Sequence, residues 1–175
     1  MNEVRYASDD GRFRVSLPSE QMTQMLSYCQ AARGIETGGV LAGYYTPTYD
    51  CAVVTEVSGP PADSHASRTR FQRGVRGLKQ WLASLWNRSQ RRYYLGEWHF
   101  HPYAAPDPSG DDCKQMREIA VTPEYYCPEP LLIIVGGDPV KDWSLSAHIF
   151  SGTGDAYLLK QYVINKITRK REIHE

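Results

Sequence analysis

A chain of 175 residues in which 20 lysines and arginines balance 20 aspartates and glutamates carries no net charge to draw it to nucleic acid or an acidic membrane. Its length suits one domain over residues 1–175, long enough to bury a core without staples, and a hydrophobic share of 41% argues against general disorder. No run is long enough for a transmembrane helix and residues 1–5 lack a signal peptide's apolar stretch. Cys29, Cys51, Cys113 and Cys127 form no Cys-x-x-Cys pair, so the expectation is a cytoplasmic protein with reduced thiols.

In chain order, a first helix is expected after Pro18, with Ser19 as its cap, Met22, Met25, Leu26, Cys29 and Ala32 at three- and four-residue spacing, and Gly34 at its end. Residues 38–45 read as a strand, Pro47 as a turn, and Cys51–Val57 as the antiparallel neighbour. Turn residues make 59–64 a loop. Val75, Leu78, Trp81, Leu82, Leu85 and Trp86 form the broad apolar stripe of a second helix, which accounts for both tryptophans without a ligand. A strand over 93–101 leads to a third helix beginning near Ser109. Residues 131–135 are almost all apolar, the profile of a central strand buried on both faces. Residues 145–150 read as a further strand, 157–163 as strand or helix, and the basic end 166–170 as solvated. Interleaved strands and helices define an α/β or α+β class, a mixed sheet flanked by helices.

The chemistry concentrates in His99-Phe100-His101. Strand side chains alternate, so the two histidines share one face while Trp98 and Phe100 take the other. Two imidazoles, joined by a carboxylate from the next element, supply three ligands of an open tetrahedral site, with the fourth position left for water. That is the layout of a hydrolytic zinc centre rather than a structural one, although iron(II) uses a similar trio. By itself His-x-His is equally compatible with two histidines that merely share a sheet face. Pro102, Ser109 and Asp112 shift the balance towards metal. Ser109-x-x-Asp112 also reads as a capping box, in which case capping and ligation compete for Asp112, and Asp111 can serve the helix dipole instead. Two acids compete as general base, and alternation favours Glu97, which shares the histidines' face. His65, His148 and His174 have no ligand-like spacing, and Cys113 begins an apolar face with Met116 and Ile119.

The string His99-x-His101-Pro102, six residues, then Ser109-x-x-Asp112, resembles the signature of the JAMM/MPN metallopeptidases, and residues 34–43, Gly-Ile-Glu-Thr-Gly-Gly-Val-Leu-Ala-Gly, resemble that family's first motif. The resemblance implies the JAMM/MPN fold over nearly the whole chain and one zinc ion per chain on His99, His101 and Asp112. It further implies Glu36 as the base that takes a proton from water and hands it to the leaving amine, and Ser109 as a donor to the developing oxyanion. Glu97 then stands behind the ligands or in the cleft wall. Phe100 departs from the small hydroxyl residue many relatives place between the histidines, which bears on packing more than on chemistry.

JAMM relatives with intact motifs cleave isopeptide bonds after the C-terminal tail of ubiquitin or ubiquitin-like proteins. The compact Gly-Glu-Trp-His-x-His-Pro and Glu-Thr-Gly-Gly-Val-Leu runs look like the small bacterial branch. That branch includes deconjugating peptidases encoded beside ubiquitin-type activating and conjugating enzymes in antiphage operons such as CBASS, and in ISGylation-like systems. The implied partner is a ubiquitin-like or nucleotidyltransferase C-terminal tail and its conjugates, with no nucleic acid or membrane. Such a tail is expected to bind by strand addition between the loops 59–70 and 103–108. Two other classes stay open. The DNA-repair-associated RadC proteins carry a similar string, but 175 neutral residues leave little room for a DNA-binding module. Non-catalytic MPN scaffolds typically lose ligands, and none is missing here.

Overall fold

The computed structural model of the protein describes residues 3–162, so the basic end 166–170 and His174 lie outside the described residues. Its elements in chain order are β1 (Glu3–Ala7), β2 (Arg14–Pro18), α1 (Ser19–Ala31), β3 (Thr37–Tyr45), β4 (Cys51–Val57), two short strands β5 (His65–Ala66) and β6 (Phe71–Gln72), α2 (Leu78–Trp86), β7 (Tyr93–Pro102), α3 (Gly110–Val121), a 3₁₀ turn at Pro123–Tyr125, β8 (Leu131–Asp138), β9 (Asp142–Phe150) and β10 (Ala156–Tyr162).

The expected mixed sheet is present, and it closes on itself in the order β1-β10-β9-β8-β7-β3-β4-β2. β2 with β4 and β7 with β8 are parallel, while the remaining pairs are antiparallel. A parallel neighbour cannot be reached by a tight hairpin, so the chain must cross over between β7 and β8. α3 lies in that crossover, which is how a helix following the histidine strand comes back over the sheet.

Strand alternation sorts the apolar residues into two cores. One takes Leu41, Trp98, Phe100, Leu131, Ile133 and Val135 with Met25 and Cys29 of α1. The other takes Val40, Leu132, Ile134 and Phe150 with Met116 and Ile119 of α3, and Leu78, Trp81 and Leu82 of α2 packed against it. β8 therefore contributes to both cores, as its unbroken apolar run led one to expect.

Several details differ from the sequence reading. Pro18, not Ser19, occupies the cap position of α1, and Ser19 is the first helical residue. The helix ends at Ala31, with Ala32 as its C-cap and Gly34 in the turn beyond. α2 starts only at Leu78 because the left-handed Gly77 precedes it, so Val75 falls outside the helix and is exposed. Trp86 is also largely exposed and stacks against the Arg91 guanidinium at 4.7 Å. Up to Tyr162 the strand-or-helix ambiguity of 157–163 resolves as a strand, because β10 finds partners in both β1 and β9, and residue 163 lies outside the described residues. Among the described residues no helix is long and apolar enough to cross a membrane.

Candidate metal centre

On β7 the alternation is complete. Glu97, His99 and His101 are buried on the face of the second core, while Trp98 and Phe100 fill the first. Phe100 thus points away from the histidines, as expected. Ser109 caps α3, whose first turn delivers Asp112 to the same place. Asp112 Oδ1 lies 2.6 Å from His99 Nδ1 and Oδ2 lies 3.5 Å from His101 Nε2. One donor atom from each of the three residues falls within 4.8 Å of the others.

Two glycines make room for this approach. Gly38 pairs with His99 across the β3–β7 ladder, and a Cβ there would stand 2.3 Å from the Trp98 carbonyl oxygen, 2.8 Å from Phe71 Cε1 and 3.0 Å from His99 Cδ2. Phe71 meets the His99 ring edge-on, with centroids 5.6 Å apart. Gly136 pairs with His101 on the other side, where a Cβ would come within 2.6 Å of both Ala104 O and Pro106 N. The loop 103–108 therefore lies directly over β8, and Ser146 Oγ on β9 ties it down by donating to the Pro106 carbonyl.

Capping and approach to the histidines do not compete for Asp112, contrary to the sequence reading. The capping box is complete: Ser109 Oγ accepts from Asp112 N at 3.1 Å, and Ser109 N donates to Asp112 Oδ2 at 2.7 Å. Oδ1 is left for His99. A carboxylate with two oxygens and about four lone-pair sites can serve both. The Ser109 hydroxyl gives its single proton to Asp112 Oδ2 at 2.7 Å, so here it is aimed at that carboxylate.

Glu36 immediately precedes β3. Because Thr37 pairs with Phe100 and Gly38 with His99, the antiparallel register carries Glu36 alongside His101. Its backbone N–H donates to Ser67 O at 2.9 Å, anchoring it to the β5–β6 loop. Burial raises the Glu36 pKa, with the Asp112 charge adding to the rise and His101 and His99 opposing it. Glu36 is thus within electrostatic reach of all three members of the cluster. Burial alone would raise the Asp112 pKa too, but hydrogen bonds with His101, His99 and Ser109 hold it well below the usual carboxylate range. For His99, burial pulls the pKa down, yet Asp112 and Glu97 outweigh it and bring it up to about 9.

The rival acid is committed elsewhere. Glu97 Oε1 accepts from Arg73 Nε at 2.8 Å, and Oε2 accepts from Gln115 Nε2 of α3 at 2.7 Å. Burial would raise its pKa, but His99 and Arg73 together lower it. Arg73 is a site-adjacent residue that sequence reasoning missed, since an arginine in a loop carries no spacing signal. The loop 59–70 reaches the start of α3 through an exposed Arg70–Asp111 pair at 3.8 Å. His65 is exposed on β5, and His148 bonds Ser146 at 2.9 Å without joining the cluster. Cys113 packs against the second core, and all four cysteines are free thiols.

Comparison with known proteins gives four further findings. Residues 18–146 match the family model described as prokaryotic homologs of the JAB domain. The chain is 45% identical over 156 residues, 89% of this chain and 85% of the relative, to a CD-NTase/cGAS isopeptidase of Enterobacter hormaechei subsp. hoffmannii. It is 28% identical over 151 residues, 83% of this chain and 88% of the relative, to a Sinorhizobium fredii protein named as a probable metalloprotease. A solution structure of a Desulfitobacterium hafniense protein superposes with a TM-score of 0.57 over 89% of this chain and 96% of that one. At 16% identity it speaks for the fold alone.

Proposed function

This chain belongs to the family of prokaryotic JAB-domain homologues and is a JAMM-type peptidase, and from that premise we propose that it hydrolyses the amide bond following the C-terminal tail of a conjugated nucleotidyltransferase or ubiquitin-like protein. The observation that carries the reading is the convergence of His99, His101 and Asp112 with Glu36 beside them. The relative named as a CD-NTase/cGAS isopeptidase supports the nucleotidyltransferase as the conjugated partner. A cytoplasmic antiphage setting beside ubiquitin-type activating and conjugating enzymes completes the reading and rests on the resemblance of the sequence motifs alone.

The donor set fits zinc, one ion per chain: two imidazoles, which are borderline donors, and one harder carboxylate, with Asp112 Oδ2 held by the Ser109 backbone N–H and hydroxyl. Bound there, the ion supplies Lewis acidity and lowers the pKa of water towards neutrality. Glu36 takes the water's proton as the oxygen adds to the scissile carbonyl carbon, then returns it to the amine nitrogen as the carbon–nitrogen bond breaks. A half-buried carboxylate that takes and then returns one proton serves as both base and acid. Ser109 Oγ swings from Asp112 Oδ2 to donate to the developing oxyanion, while that carboxylate oxygen keeps the Ser109 backbone N–H. The tail lies extended between the loops 59–70 and 103–108.

The test is cleavage of a fusion that joins a nucleotidyltransferase or ubiquitin-like tail to a reporter protein, with the products weighed by mass spectrometry. One cut at the end of the tail is expected, lost with chelator and lost when the tail is shortened or its last residues enlarged. Equal cleavage of unrelated folded proteins or short peptides would reduce the reading to a general peptidase. A chain that neither binds zinc nor cuts would end it.

A further inference from the structure

A carboxylate with no exposure to water is costly unless cations and donors surround it, and an apolar pair of similar volume would usually pack there at less cost. Glu97 is such a group: it is 0% exposed and stands two residues before His99 on the same face, in ladder register with Val40 and Leu132. Its Oε1 takes Arg73 at 2.7 Å and the Tyr94 hydroxyl at 3.3 Å, and Arg73 is itself buried. Its Oε2 takes Gln115 at 2.7 Å and faces His99 Nε2 at 3.6 Å.

His99 shows the other half of the arrangement. Its Nδ1 is turned to Asp112, and among the described residues its Nε2 is the one buried side-chain nitrogen or oxygen without a hydrogen-bond partner. We propose that Glu97 is a positioning residue: Oε2 accepts the Nε2–H of His99, which leaves the lone pair on Nδ1 and directs it into the metal cluster, while Arg73 and Gln115 hold the carboxylate still. This rests on the metal-holding reading of His99, His101 and Asp112. A ring shift of roughly 0.7 Å brings the pair to an ordinary bond length. A carboxylate acceptor on the far nitrogen fixes the tautomer and makes the near nitrogen a stronger donor to metal.

Glu97→Gln tests the charge and the acceptor together. Its amide offers only one acceptor oxygen, Arg73 competes for it, and the NH2 group is then set against the His99 N–H. Zinc affinity would be measured by competition with a chromogenic chelator for the wild type, Glu97→Gln and the doubly neutral Glu97→Gln/Arg73→Gln. The wild type should bind one zinc, and both variants should bind it about 10- to 100-fold more weakly. Their cobalt-substituted absorption spectra should also shift. The double variant removes the uncompensated buried cation, so it should recover thermal stability without recovering zinc affinity. Wild-type affinity in Glu97→Gln would overturn the proposal, and so would a double variant that regains stability and zinc affinity together. If Glu97→Gln does not fold, the double variant decides by its zinc affinity alone. A wild type that takes up no zinc would overturn the metal reading itself, which keeps the two failures apart.

Discussion

Gly38→Ala puts the geometry of the cluster to a quantitative test. The added Cβ would sit 2.3 Å from the Trp98 carbonyl oxygen, against roughly 3.3 Å for a close carbon–oxygen contact, so β3 and β7 must part by about 1 Å. Phe71 Cε1, at 2.8 Å, belongs to a ring that can turn aside, but the carbonyl is backbone and cannot. Overpacking of this kind costs about 1–3 kcal/mol, and stretching a ladder bond adds about 1 kcal/mol. For a domain of this size each kcal/mol moves Tm by about 2–4 °C, so a fall of roughly 5–15 °C is expected in thermal denaturation of the metal-free chain. His99 Cδ2, 3.0 Å from the new methyl, is displaced as well, so zinc affinity should fall in the same variant. Gly110→Ala is the control: a Cβ there meets nothing within 4 Å, and Tm should hold or rise. A Gly38→Ala chain with wild-type Tm and wild-type zinc affinity would refute the idea that close backbone approach at Gly38 builds the site.

Three further outcomes follow from the cluster. Glu36→Gln should keep zinc and stability yet lose about 10²- to 10⁴-fold in turnover, whereas Glu97→Ala, assayed at saturating zinc, should lose less; the reverse ranking in steady-state kinetics would reassign the base. In the metal-free chain burial raises the Glu36 pKa, so NMR titration of that chain should place its midpoint above the free-glutamate value of about 4.3, and a midpoint at or below that value would contradict its half-buried place beside Asp112. Asp112→Ala and His101→Ala should both abolish zinc binding, but only the former also removes the α3 capping box, so its metal-free Tm should fall further, by about 1 kcal/mol or roughly 2–4 °C; equal Tm values in calorimetry would show that the box does not hold the helix.

What could be read from the residues alone is what local geometry dictates. The two-residue period of a strand set His99, His101 and Glu97 on one face and Trp98 and Phe100 on the other, whatever the rest of the chain did. Ser109 marked the start of α3 because its hydroxyl satisfies a helix N–H, and the apolar run of β8 announced a strand covered on both sides. The choice between Glu36 and Glu97 was not local. By strand alternation Glu97 is the better base, and the resemblance to a known family was needed to prefer Glu36. In the fold Glu97 is engaged by Arg73, 24 residues away, and by Gln115 from the crossover helix, while the β3–β7 register brings Glu36 beside His101. The sharing of Asp112 between cap and cluster likewise emerged only once both of its oxygens had positions. Closure of the sheet through β1, β2 and β10 was equally out of reach, since short strands declare themselves by the neighbours they pair with. Side-chain direction along one strand is a property of the backbone, but the partner of a buried charge is whatever distant group the register and the crossover deliver to it.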